Sequence, residues 1–344
     1  MRQAEPRDNR MAIRTVAAVA ACGAIFLQTQ IARGQSITTE AALSTGYSTD
    51  DVTVGATQVR AFGELKKGVH FFGEAAWAAS SDTDNDVFGT AYPYRNRVQI
   101  IEAYADRTFR PKRAILGIRG GRFRTPFGIY DASDQAYVGF LRPPLVRYAE
   151  YTSLSNNFLE HGAGIVVGVP FLTFQTVLGA PADVGETARG SGLDTVLRVQ
   201  GFHGSFIAGF SYLRNHSHET PADPRFRASA TGIDFRWMQS GIQVRGEWIG
   251  GRPADDATNN GWYVDALIHR AGMGPVMAIA RIERLAVTDE GEEEQQGRQT
   301  IGARIRLLEA LSLNVNVVHR SGEFATEYGH TAFDLGFTWN LRRH

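Results

Sequence analysis

One stretch of the chain, residues 112–157, is rich in aromatic residues and proline and also carries charged side chains of both signs. Opposed basic and acidic groups across a narrow opening would create a transverse field that orients polar solutes, and rings of Arg or Lys favour anions. The alternative is that these groups form ordinary salt bridges within a loop. The candidate residues are Arg119, Arg122, Arg124, Arg142 and Arg147, together with Asp131, Asp134 and Glu150.

Other residues that could bind a metal or catalyse hydrolysis have no partner residues at the spacing that such a site requires. The sequence His216-Ser217-His218-Glu219 could bind a metal, but no further ligand stands at a suitable distance along the chain. His203, His269 and His319 are scattered singles, so no Ser/His set for hydrolysis can be assembled. The acidic run at 288–296 is interpreted as a solvated loop. We therefore predict no catalytic residue, no metal site and no cofactor.

Residues 1–34 have the pattern of a secretory signal peptide. A basic start precedes the apolar run of residues 15–27, and Ala32-Arg33-Gly34 supplies small residues for cleavage. The apolar run is shorter than the roughly 20 residues of a spanning helix. Cys22, the only cysteine, lies in this run; cleavage and lipidation there is a weaker alternative. The mature chain, residues 35–344, then has no thiol or disulfide.

The mature chain is interpreted as one strand after another. In the full chain Lys+Arg and Asp+Glu are both 36, and this balance gives no support for a nucleic-acid partner. About sixteen strands are predicted, with short turns alternating with longer loops, as in outer-membrane barrels. The predicted strands are 37–47, 56–65, 69–79, 98–109, 113–121, 162–169, 173–180, 193–202, 205–213, 230–237, 242–249, 262–269, 276–286, 298–307, 311–319 and 331–341.

Alternation within the strands separates an apolar face from a polar face. In the last strand Phe333 and Phe337 share one face, and Asp334 shares the other with polar and small residues. Arg304 and Arg306 are predicted to face the lumen. A soluble sandwich also alternates, but charged polar faces on many strands and aromatics near strand ends favour a transmembrane antiparallel up-and-down β-barrel.

Four short motifs between residues 102 and 143 are informative about the protein family. They are Glu102-Ala103-Tyr104, the strand from Leu116 to Phe123, the corner Pro126-Phe127-Gly128 after Thr125, and Leu141-Arg142-Pro143. This stretch resembles the phosphate-selective porin family and related bacterial outer-membrane porins. The resemblance implies a sixteen-stranded trimeric barrel whose third external loop, here residues 122–157, folds inward. The carboxyl end, Gly336-x-x-Trp339-x-Leu341, resembles the signal by which such barrels are recognised for assembly.

The function predicted is passive diffusion of small hydrophilic solutes or ions through an outer-membrane porin narrowed by its third loop. An anion preference is compatible with the arginines, whereas phosphate specificity is weakened because Lys66, Lys67 and Lys112 all lie at predicted periplasmic turns. Expected partners are outer-membrane lipid, the barrel assembly machinery and two further copies in a homotrimer. The alternatives are a non-conducting structural or adhesive barrel, and a secreted soluble β-protein such as a carbohydrate-active enzyme.

Overall fold

The structure is a computed structural model that describes most of the chain beyond the predicted signal peptide. The described residues are 36–65, 68–81, 86–87, 98–129, 139–148, 158–182, 192–216, 228–252, 257–289 and 291–343. The predicted signal peptide, residues 1–34, lies outside them.

Sixteen antiparallel strands form a closed barrel in which each strand pairs with the next and β16 pairs with β1. The predicted all-β barrel is confirmed. A 3-10 turn at Leu145–Arg147 and a short helix α1 at Glu323–Tyr328 accompany the strands. No helix of the described residues is long and apolar enough to cross a membrane. The strands are β1 Ser36–Ser48, β2 Val52–Leu65, β3 Val69–Ser80, β4 Gln99–Phe109, β5 Ile115–Arg124, β6 Leu159–Val169, β7 Leu172–Pro181, β8 Leu193–His203, β9 Phe206–His216, β10 Ser229–Gln239, β11 Ile242–Arg252, β12 Thr258–Ile268, β13 Val276–Asp289, β14 Glu292–Arg306, β15 Leu311–Gly322 and β16 Thr331–Arg343.

The alternation predicted from sequence becomes an apolar outer surface and a mostly polar interior. On β16, Phe333 is 56% exposed whereas its neighbour Asp334 is 1% exposed. Successive side chains of a strand point to opposite faces, so the exposed set lies outside and the buried set inside. Trp248 and Trp262 lie on the outer surface near one end of the barrel, and Trp339 lies near the other. This distribution is typical of the aromatic girdles that flank an apolar band.

The connections follow the predicted rhythm with two exceptions. The first join was expected to be a short polar loop over residues 48–54, but β1 extends to Ser48 and β2 begins at Val52. A longer loop was expected over residues 288–296, but β13 extends to Asp289 and β14 begins at Glu292. The acidic run was also expected to lie in a loop, but Glu292 begins β14 and pairs with Asp289 of β13. The ladder extends because the run lies at the exposed end of both strands, where charged side chains remain in water while their backbone groups pair.

Candidate functional site

The connection between β5 and β6, residues 125–158, contacts strands on the far side of the barrel. In the strand order β13 stands eight strands from β5 in either direction. The backbone N–H of Leu145 nevertheless donates to Glu283 Oε2 of β13 at 2.6 Å. The N–H of Leu141 donates to Asn316 Oδ1 of β15 at 2.9 Å. Glu283 and Asn316 are buried on the inward face, near the middle of their strands.

Arg142 is the main point of attachment. Its Nε and Nη2 donate to the two carboxylate oxygens of Asp334 at 2.7 and 2.8 Å. Nη1 donates to Asp86 at 2.8 Å, and Nη2 also donates to Ser48 Oγ and Asp50, both at 2.9 Å. The side chain is only 5% exposed. Three carboxylates therefore neutralise this guanidinium, and a bidentate pair fixes its orientation.

Two further arginines extend this network around the connection. Arg298 donates to Asp86, to Glu283 Oε1 at 2.7 Å, and to the backbone carbonyl of Pro143. Arg320 donates to Asp50. Burial alone would raise the pKa of Asp86, but the charges of Arg298 and Arg142 outweigh it and hold that pKa below its usual value.

The same balance lowers the pKa of Asp50, whose burial is outweighed by the hydrogen bond from Arg320 and the charge of Arg142. Both carboxyl groups lie in connections between strands and remain ionised at neutral pH.

Arg147 makes the second attachment, on another part of the wall. It is 2% exposed, and its guanidinium donates to both carboxylate oxygens of Glu247 of β11, with the Nε contact at 2.9 Å. Its Nη2 also donates to the carbonyl of Phe127 at 2.9 Å. Tyr263 supports the pair by donating its hydroxyl to Glu247 at 3.1 Å. The beginning and the later part of the connection are thus held together at this carboxylate.

The corner Pro126-Phe127-Gly128 is buried and has a conformation that requires its glycine. Gly128 has φ +67, and a Cβ there would lie 1.5 Å from Glu247 Oε1. Its N–H donates to Ser211 Oγ of β9 at 3.0 Å. The Phe127 ring occupies space that a side chain at Gly232 of β10 would need, since a Cβ there would meet the ring at 2.7 Å. A glycine in the wall therefore receives the aromatic side chain of the connection.

The connection and the inner wall share an apolar core. Phe127, Ile129, Leu145 and Val146 are 2% exposed or less and pack in it. Its other members are Phe123, Phe158, Val177, Val196, Leu213, Ala228, Ala230, Ile249, Ala257, Tyr263, Leu285 and Val287. The inward faces of the strands were predicted to carry polar and charged residues. They are apolar where the connection covers them, because side chains there are excluded from water.

The predicted basic residues of β5 have three different environments. Arg124 donates to Glu102 Oε2 at 2.5 Å and to Glu74 Oε1 at 2.6 Å, on the inward face. Arg119 lies over the Tyr104 ring, with its guanidinium carbon 4.2 Å from the centroid. Arg122 lies on the other face, because it pairs with Ala103 and with the exposed His161, whose Nε2 is 3.2 Å from its Nη1.

Arg122 was predicted to line the pore, and the structure corrects this placement. Leu116 and Ile118 face outward on β5, and the same alternation continues to Arg122 because the strand does not end before Arg124.

Arg304 and Arg306 lie on the inward side of β14. Arg304 Nη2 donates to Ser312 Oγ at 3.3 Å, and its Cβ is 3.1 Å from the position of a Cβ built on Gly139. Arg304 therefore adjoins the β5–β6 connection. Arg306 is exposed beside the turn that leads to β15. Asp131, Asp134 and Glu150 lie outside the described residues.

Sequence reasoning missed the acids that hold the connection. Asp86, Glu247, Glu283 and Asp334 are each 3% exposed or less and bind the buried arginines. The sequence does indicate which face Glu247 and Asp334 occupy. Both lie in strands and alternate with apolar neighbours, so they belong to the polar face. Among the residues that the structure describes, no group of three or more potential metal ligands occurs.

Solved structures of outer-membrane proteins share this architecture. OmpF of Salmonella typhi, in complex with daunomycin, is similar with a TM-score of 0.61 and 12% identity, over 89% of this chain and 97% of that one. An anion-selective porin from Comamonas acidovorans gives 0.59 and 9% identity, over 89% and 100%. The chain has a porin fold. OmpT of Vibrio cholerae, described as an outer membrane protein, gives 0.58 and 11% identity, over 91% and 100%.

No protein-family model matches the chain, and no curated protein matches its sequence. Sequence identities this low show similarity of the fold alone. The porin fold agrees with the resemblance seen in residues 102–143, and these comparisons do not bear on selectivity for phosphate.

Proposed function

We propose that the chain is an outer-membrane porin in which the β5–β6 connection folds into the lumen and narrows it. The observation that carries this proposal is the pair of attachments, at Arg142 and Arg147, to inward-facing carboxylates of distant strands. The Arg147 attachment is to Glu247 in the middle of β11, and Leu145 beside it bonds to Glu283 in the middle of β13. A connection that leaves β5 and is fixed at these two points must occupy part of the passage. Small hydrophilic solutes and ions pass beside it by diffusion, and no chemical step is needed.

The apolar outer surface supports a membrane location. Outward residues such as Ile301 and Leu335 are exposed at 69% and 40%, which is unfavourable in water and favourable in lipid. Residues 1–34 would direct export, and the terminal Gly336, Trp339 and Leu341 would be read by the barrel assembly machinery.

The outward faces of β2 to β4 support assembly with two further copies, because they carry small residues that permit close approach of another wall. These residues are Gly55, Ala61, Gly63, Gly73, Ala75, Ala103 and Ala105.

Selectivity is assigned to the arginines that remain accessible. Arg142 and Arg147 are buried and neutralised, so they position the connection and leave little field in the passage. Arg119, Arg304 and Arg306 lie on the inward side and are at least partly exposed. Fixed positive charge along a passage favours anions. We therefore propose a modest anion preference set by these three residues.

Planar-bilayer recording with the purified protein tests the proposal. Stepwise channels are expected, with a reversal potential in a salt gradient that shows anion preference. Arg304→Ala combined with Arg306→Ala should move that potential toward cation preference. Arg122→Ala is the matched control, because it removes the same type of charge from the outer face and should leave the potential unchanged. A correctly folded barrel that forms no channels would contradict the porin proposal and favour a non-conducting structural or adhesive barrel.

A further inference from the structure

Four aromatic side chains form a ladder on the inner wall across adjacent strands. Phe62 of β2 and Phe72 of β3 have ring centroids 6.3 Å apart, and Phe72 and Tyr104 of β4 have centroids 5.3 Å apart, with both pairs inclined by 21°. Phe123 of β5 meets Tyr104 edge-on at 6.2 Å. Register partners share a face, and Tyr104 packs against the apolar core inside the barrel. The whole ladder therefore faces inward.

The ladder leads from one mouth of the barrel to the β5–β6 connection. Phe62 and Phe72 stand near the turn between β2, which ends at Leu65, and β3, which begins at Val69. Phe123 is the last residue but one of β5, where the connection begins. The first three rings are partly exposed, whereas Phe123 is buried. A solute that enters from the turn side thus meets the rings before it reaches the narrowing.

Hydrogen-bonding groups flank the rings. Arg119 lies over the Tyr104 ring at 4.2 Å and toward Phe123 at 5.6 Å, and among the described residues it takes part in no ion pair. Asp106 is its register partner and lies 3.2 Å from His70 Nδ1, with the Asp106 side chain 26% exposed. These groups supply both donors and acceptors at the edge of the aromatic surface.

Charged groups of both signs stand beside the ladder on the inward faces of β2 to β5. They are the basic Arg60, Arg119 and Arg124, and the acidic Glu64, Glu74, Glu102 and Asp106. A neutral solute with a flat apolar face and several hydroxyl groups uses both the rings and the mixed donors and acceptors.

We propose that this aromatic ladder is a binding track for neutral pyranose sugars. The C–H face of a pyranose ring packs on Phe62 and Phe72, and its hydroxyl groups exchange hydrogen bonds with Arg119 and Asp106. Sites that combine apolar and aromatic walls with a few placed polar groups bind small molecules in this way. The inference rests on the proposed porin function, since the track serves a solute that passes through the barrel.

Titration of open channels with maltotriose and cellotriose tests the track. At least one trisaccharide is expected to reduce the ion current of the wild-type channel in a saturable manner. Phe62→Leu and Phe72→Leu, which keep apolar volume but remove the flat ring, should each raise the half-blocking concentration about tenfold. Their sugar-free conductance should stay near that of the wild type.

Phe206→Leu is the matched control. Phe206 stacks with Phe235 at 6.4 Å and 18°, a comparable pair on the outer face, so its loss should leave sugar block unchanged. Arg119→Gln should weaken block by the sugar while the ladder remains intact, which separates hydroxyl recognition from stacking.

The possible failures are distinguishable. Channels that conduct but are not blocked by either sugar would overturn the track and leave the porin proposal standing. Equal block in wild type and Phe72→Leu would also overturn it, as would block by benzoate without block by sugar, which would indicate an aromatic-acid site. If no channels form, the porin proposal fails, and calorimetric titration of the detergent-solubilised barrel with maltotriose and cellotriose decides whether the ladder binds sugar.

Discussion

Replacement of Arg142 by alanine tests most directly how the β5–β6 connection is held. The guanidinium is buried and pairs with Asp50, Asp86 and Asp334. Arg142→Ala leaves Asp334 without the bidentate partner that it has in the wild-type protein. Removing one partner of a buried ion pair costs about 3–5 kcal/mol. Since about 1.4 kcal/mol corresponds to a factor of ten, the population with a released connection rises roughly 100- to 4,000-fold.

Amide hydrogen exchange measures this release, because it reports local opening. The N–H groups of Leu141 and Leu145 bond to side chains of the opposite wall and should exchange faster in Arg142→Ala by the factor given above. The N–H of Gly128 bonds to Ser211 on the side held by Arg147, and its exchange should change less. Arg142→Lys keeps the charge but cannot make the bidentate contact, so its exchange rates should be intermediate.

Arg306→Ala is the control for loss of one positive charge, because Arg306 is an exposed arginine of the same barrel. Its exchange rates at Leu141 and Leu145 should match those of the wild type. If Arg142→Ala also matches the wild type, the carboxylate network does not hold the connection, and the reasoning is refuted.

Three more predictions follow from the same contacts. Gly128→Ala should lower the free energy of unfolding by more than the roughly 1–2 kcal/mol of left-handed strain, because a methyl group there collides with Glu247. The control is Gly204→Ala, which has φ +55 and open space around it and should lose only the free energy of this strain. Equal losses for the two variants in denaturant titrations would contradict the prediction. The lowered pKa of Asp86 means that its support is complete above the unfolded value of about 3.9 and is lost as pH falls through the folded pKa. Leu141 should therefore keep its protection from exchange at neutral pH and lose it as the pH falls below about 3.9. Asp86→Asn should reduce this acid response, and an unchanged response would argue against the role of Asp86. Ile301→Arg, on the outer face of β14, should lower the stability in lipid bilayers by about 2–4 kcal/mol. Leu308→Arg, at the turn, should lower it by only about 0–1 kcal/mol. Similar losses for the two variants would count against a lipid-facing position for Ile301.

The number of strands and their two faces could be read from the sequence, because both depend on local pattern. Alternation with a period of two assigned Phe333 and Asp334 to opposite faces, and turn residues separated the segments. The same rule, continued past Gly121, places Arg122 outside, as the structure does. It fails two residues later at Arg124, whose side chain reaches Glu74 and Glu102 on the inward face.

The roles of the arginines could not be read in this way. Arg142 and Asp334 are separated by 192 positions and meet only because β16 closes the barrel and the β5–β6 connection reaches its inward face. The sequence shows the charge of Arg142 and Arg147 but neither their burial nor their partners, so it predicts them to line the passage.

The stretch at 112–157 could therefore be recognised from the sequence, whereas the contacts of its residues are decided by the tertiary structure. Alternation fixes which face a residue occupies, since it follows from the geometry of a single strand. Whether a charge on that face is neutralised or exposed depends on which strands stand opposite and on what fills the space between them. That is why Arg142 is buried among carboxylates whereas Arg304 is partly exposed, although both are arginines on the interior.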